Sequence, residues 1–158
     1  MDRLLLHNLV LFGHILAAFL FVAGIILAGV PFEAARRRRE PRDVALLLGL
    51  TRYGVLLVAV GGVLLPLFGL WLVHLDGFDL GATWIEWALI LFVAAVLLGG
   101  LGGRRPKRAR KLAEVLAEEG AASSTELRRL LDDPLARVAN YASAILVAAI
   151  LVLMVWKP

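Results

Sequence analysis

No cysteine occurs among the 158 residues, and methionine (two) and histidine (three) are scarce. The first absence excludes disulfides, iron–sulfur clusters, thiolate zinc sites and covalent c-type haem attachment. Any cofactor therefore has to be held by His, Met, Asn, Tyr or carboxylates. With only Met1 and Met154 as soft ligands, a copper site has little to build on. Nor is there a Ser-His-Asp or metal-hydrolase arrangement, which argues against hydrolytic chemistry. Formal charge is missing altogether from Leu4 to Val30.

What is there in abundance is apolar surface. Apolar residues make up 61% of the chain, against roughly 45–50% in soluble globular domains. A run of about 20 apolar residues suffices for a helix to cross the hydrocarbon core, and four such runs are legible, at about 4–30, 48–75, 84–102 and 135–156. The expected fold is all-α, a single integral membrane domain over 1–158: a four-transmembrane-helix bundle with a short amphipathic helical segment on the cytoplasmic side. Connections at 31–47 and 103–134 read as the cytoplasmic loops.

The second run begins earlier than its span, at Val44. Its extra turns are expected at the amino-terminal end, with Asp43 as cap, and Pro66 is expected to kink it near Gly62. Trp84 and Trp87 open the third span as an interfacial belt. Between Lys107 and Glu119, Leu112, Val115 and Leu116 share a face among charges, as in a helix on a membrane surface, ending at Gly120. Ser123 and Glu126 have capping-box spacing for a further short helix through Leu131. Asp133 and Pro134 then open the fourth span.

Orientation follows from the Lys and Arg residues. All but Arg3, Arg52 and Lys157 of the seventeen lie in the two connections or at the mouth of span four. Basic loops stay on the cytoplasmic side, so both termini are expected outside, in the inner membrane of a bacterial cell. Arg3 precedes the first apolar run and five arginines follow it, the reverse of a cleaved signal peptide. The same clusters suit anionic headgroups of the bilayer. Nucleic acid is not an expected partner, because the basic blocks flank spans and no binding motif accompanies them.

Polar groups inside a bilayer are costly and mark where function is to be sought. His14 lies near the midplane of span one. Arg52 and Tyr53 on span two, and Asn140, Tyr141 and Ser143 on span four, lie in the inner half. His7, His74 and Glu86 lie near the outer interface. His14 needs a partner for its ring N–H, and its other nitrogen is open to a structural partner, a metal or a proton relay. Arg52 is open to snorkelling or to holding an anionic group. Gly54, Gly61, Gly62 and Gly69, with Gly13, Ala17 and Gly24, recur at roughly two-turn spacing as close-approach surfaces, in number enough to suggest a homodimer or a membrane-complex partner.

The segments Leu6-His7-Asn8-Leu9 through His14-Ile15-Leu16-Ala17-Ala18, the Arg52-Tyr53 pair, Asp133-Pro134 and the closing Leu153-Met154-Val155-Trp156-Lys157-Pro158 resemble an uncharacterised family of predicted bacterial integral membrane proteins, over nearly the whole chain. More distantly, a first-span histidine followed by aliphatic and small residues looks like the CopD-like group, which includes HemJ-type protoporphyrinogen oxidases. That likeness implies His14 as a ligand of b-type haem. A second-span lysine that matters in those oxidases has no counterpart here, where Arg52 stands, so the oxidase activity is not implied. Two expectations result. One is a b-type haem on His14 as metal ligand, with Arg52 near its propionates and the second axial position open to His7 or His74 from the outer side or Tyr141 from the inner. The other is a non-catalytic membrane scaffold or accessory subunit. No catalytic residue is assigned.

Overall fold

The computed structural model describes residues 2–121 and 124–156, Arg104 by its backbone alone. Six helices account for nearly all of them: α1 (Arg3–Arg36), α2 (Pro41–Asp76), α3 (Thr83–Gly102), α4 (Arg104–Glu118), α5 (Thr125–Leu131) and α6 (Pro134–Trp156). No strand occurs among the described residues. Four stretches, carried by α1, α2, α3 and α6, are long and apolar enough to cross a membrane. Their outward-facing Leu, Val, Ile and Phe side chains are exposed, as lipid-facing positions have to be.

The spans pack as two antiparallel pairs, α1 with α2 and α3 with α6. In the first pair, residues seven apart return to the same face after two turns, and glycine there lets the backbones touch. A Cβ on Gly24 would lie 2.8 Å from the Gly54 carbonyl oxygen, one on Gly54 2.8 Å from that of Gly24, and one on Gly61 2.6 Å from the Phe21 nitrogen. In the second pair, Ala88, Ala95 and Gly102 on α3 are buried at the same interval, as are Ala136, Ser143 and Ile150 on α6, with Ala139 and Val147 buried beside them. The two pairs meet where Phe21 packs on Phe92, ring centroids 5.6 Å apart, beside Ala95 and Val147.

The end of the molecule that carries the arginine clusters, here the basic end, is where the most completely buried side chains lie. Phe32 and Ala35 of α1, Val44 and Leu48 of α2, Ala109 and Ala113 of α4, and Leu127 and Leu131 of α5 form one cluster. The stretch 31–47 is thus mostly helix. α1 continues through Pro31 to Arg36, and α2 starts at Pro41, where proline is tolerated because its missing N–H would be unsatisfied anyway. Glu40, not Asp43, stands at the cap position, without a side-chain cap bond; Asp43 lies in the first turn, favourable to the helix dipole. α2 runs as one helix through Pro66.

α4 buries Ala109 and Ala113, with Leu112 and Leu116 partly covered, against α2 and α5. Val115 points outward at 48% exposure. The apolar face expected to lie on a membrane surface is therefore covered by protein, and it is rotated by one residue. Gly120, at φ 65°, ends α4: its N–H reaches the Ala117 carbonyl and that of Ala121 reaches Leu116, the paired bonds of a Schellman motif. α5 is capped by Ser124, whose Oγ accepts from the Leu127 N–H at 3.1 Å. Ser123 lies outside the described residues, and with Leu127 rather than Glu126 three residues past the cap there is no reciprocal capping box.

Candidate functional site

His14 sits on the face of α1 that meets α2. Gly69 makes room for its ring, since a Cβ there would come within 3.1 Å of His14 Cε1. Its Nδ1 lies 3.1 Å from the Leu65 carbonyl oxygen. A carbonyl can only accept, so Nδ1 is the donor in this contact, and Nε2 has no partner among the described residues. Leu65 immediately precedes Pro66, so the histidine binds the α2 backbone beside the point where proline removes one of its donors.

Arg52 does not join His14. It is exposed, donates from Nη2 to the Tyr53 hydroxyl at 3.0 Å and lies 4.9 Å over the Tyr53 ring. Thirteen residues of α2 separate it from Leu65, about 20 Å at the helical rise, farther than a haem reaches from its iron to its propionates. Tyr141 is on α6, its side chain 57% exposed. His7 pairs instead with Asp76 across the far ends of α1 and α2, Nε2 to Oδ1 at 3.0 Å, while His74 is exposed. His14, Arg52 and Tyr141 thus occupy three separate places. Among the described residues no three His, Cys, Asp or Glu side chains converge as a metal site would require.

Two polar side chains on α6 serve the α3 interface. Ser143 Oγ, buried, donates to the Ala95 carbonyl at 2.9 Å, and Asn140 lies so close to Gly102 that any side chain there would collide with it. Sequence reasoning placed both residues by depth but could not choose their partner helix.

It missed the contacts that tie α5 to α1. Arg128 donates from Nη1 to the Arg36 carbonyl at 3.0 Å and from Nη2 to that of Arg38, satisfying carbonyls that the end of α1 leaves free. Arg36 bonds Glu33 at 2.8 Å and Asp132 at 3.2 Å. The apolar run stops at Val30 while α1 continues to Arg36, so the sequence carries no signal that Arg128 and Asp132 meet its end.

Four apolar helices in two antiparallel pairs, with His14, Asn140 and Ser143 turned toward neighbouring helices and arginine clusters at one end, define an integral membrane protein. The family model described as "Predicted integral membrane protein (DUF2269)" matches residues 8–158, and the chain belongs to that family. No curated protein and no solved structure matches it.

Proposed function

We infer that the chain is a non-catalytic membrane scaffold or accessory subunit that works through helix–helix association. The observation that carries this reading is the use made of its intramembrane polar groups: His14 and Ser143 each bond a backbone carbonyl of the neighbouring helix, which is how polar side chains join helices in lipid. Gly13, Gly24, Gly54, Gly61 and Gly69 all face side chains or backbone of this same chain, so a second copy, or another subunit, meets the larger residues instead. The setting is the bacterial inner membrane, basic end in the cytoplasm.

Because the chain has no cysteine, single-cysteine variants at exposed Val63, Leu67 and Ile145, with buried Ala17 as control, can be oxidatively cross-linked in native membranes. One exposed face is expected to yield a discrete adduct and Ala17 none. Absence of any adduct at every exposed position overturns the association.

A second reading keeps His14 as the ligand of a b-type haem. It is favoured by the Nδ1 contact to Leu65, because ligating imidazoles donate their other N–H to a carbonyl or carboxylate. Haem bound there would supply one-electron transfer. Arg52 fits no part of this site, and Tyr141 is not turned toward it. A Soret band in protein purified from haem-rich cells, lost in His14→Ala, supports this reading; colourless protein removes it.

A further inference from the structure

Two cavities at the basic end adjoin one another. The first, of about 780 Å³, is an open-sided hollow between α4 and α5 in which Arg105, Arg108, Lys111 and Arg129 stand around a floor that includes Leu112 and Leu130. Glu126 is its one carboxylate. The second, of about 320 Å³, lies where α3 ends and α6 begins, and Leu98, Leu101, Leu135, Ala136 and Ala139 make it apolar. Arg105 and Arg108 belong to both walls. A hollow rich in cations therefore shares a wall with an apolar groove formed by the last turn of one span and the first of another.

The cations are largely uncommitted. Arg105 gives its Nε to Asp133 Oδ2 at 3.3 Å, which fixes the head without engaging its terminal amino groups. Arg108, Lys111 and Arg129 make no ion pair among the described residues. Arginine heads match phosphate oxygens two at a time, and both volumes lie in the range of small-molecule sites.

We propose that this composite cavity binds one anionic phospholipid of the adjoining leaflet, its phosphate between Arg108, Lys111 and Arg129 and one acyl chain along Leu98, Leu101 and Leu135. A free anion would find the charges but have no use for the groove. A zwitterionic lipid would fill the groove but give the surplus of cations no net negative charge. Basic pockets beside membrane-spanning helices recognise anionic headgroups in this manner. The site is a defined one-to-one pocket, distinct from the diffuse attraction of the Arg37–Arg39 cluster to a membrane surface.

The test uses the full chain in neutral detergent. Native mass spectrometry counts lipid retained after exposure to mixed vesicles of phosphatidylglycerol and phosphatidylcholine, and thermal unfolding is followed in parallel, since a bound ligand raises the melting temperature. One phosphatidylglycerol per chain is expected to remain bound. Arg108→Gln with Arg129→Gln, which breaks no ion pair, should lower its affinity roughly thirtyfold, as loss of two surface-near charges predicts. Arg37→Gln with Arg39→Gln removes the same charge elsewhere and should change affinity by less than about twofold. Leu135→Glu, at an exposed position of the groove, gives a second route to loss if the arginine variant fails to fold. Equal weakening in the Arg37/Arg39 variant, equal retention of phosphatidylcholine, or stabilisation by inorganic phosphate alone matching that of phosphatidylglycerol overturns the proposal.

Discussion

At the scale of single residues, the glycines of α1 and α2 differ in what surrounds them, and their substitutions should differ accordingly. Gly54→Ala and Gly61→Ala push a methyl into the backbone of α1, and overpacking of this kind costs about 1–3 kcal/mol. Gly49 has open space around its missing side chain, so Gly49→Ala should stabilise by about 0.5–1 kcal/mol, the helical penalty of glycine. Gly62 touches only the Phe21 ring, at 3.4 Å, and falls between. Reversible unfolding in mixed detergent micelles ranks the four variants. A Gly62 variant that unfolds as readily as the Gly61 variant would contradict this placement of the interface. The seven-residue spacing of small residues was legible in the sequence. That Gly54 and Gly61 face α1 whereas Gly49 faces nothing was not, because the spacing tells which residues share a face and not what that face meets.

Among elements, α5 has the shortest helix and some of the tightest packing. Seven residues are too few to hold a helix alone, so α5 depends on its Ser124 cap, on the completely buried Leu127 and Leu131, and on Arg128 holding the end of α1. Ser124→Ala should cost about 0.5–2 kcal/mol and Leu127→Ala about 2–5 kcal/mol. Limited trypsin digestion reads both, through faster cleavage after Arg128 and Arg129. Rates unchanged in Leu127→Ala would show that α5 is not anchored there. The sequence announced α5 and the Gly120 stop through turn and cap chemistry, but it hid the core beneath them. Ala109 and Ala113 carry almost no hydropathy among arginines and lysines, and the stripe 109, 112, 113, 116 becomes visible only when alanine is counted as apolar. Proline and charge at 31–47 likewise read as loop, although proline is acceptable in a first turn and arginines can ride the exposed face of a helix. That His14 stands on the first apolar helix was legible; its separation from Arg52 was not, since that requires knowing which turn of α2 lies opposite it.

For the molecule as a whole, the charge distribution predicts which way it sits in the membrane. Alkaline phosphatase fused after Pro158 should be active and the same enzyme fused near Arg39 inactive, because the alternative carries nearly all the Lys and Arg across the bilayer. The reverse pattern would invert the orientation and with it the leaflet that holds the lipid pocket. The same arrangement predicts unequal cohesion. The α1–α2 pair, in backbone contact, should separate from α3–α6 before either pair comes apart. Spin labels on Val63 and Ile145 should therefore move apart at lower denaturant than labels within one pair.

The lengths of the two pairs' connections differ greatly: residues 37–40 join α1 to α2, whereas 103–133 separate α3 from α6. In the course of translation, the first pair can close almost as soon as α2 is made. α3 must wait for its partner while about thirty further residues are added, a matter of seconds at ribosomal rates. During that interval α4 and α5 can already dock on the extended end of α2 through Ala109, Ala113 and Leu127. In that order of synthesis the packing of α4 and α5 at the basic end is expected to tether the unpaired third helix to the first hairpin until the last helix arrives.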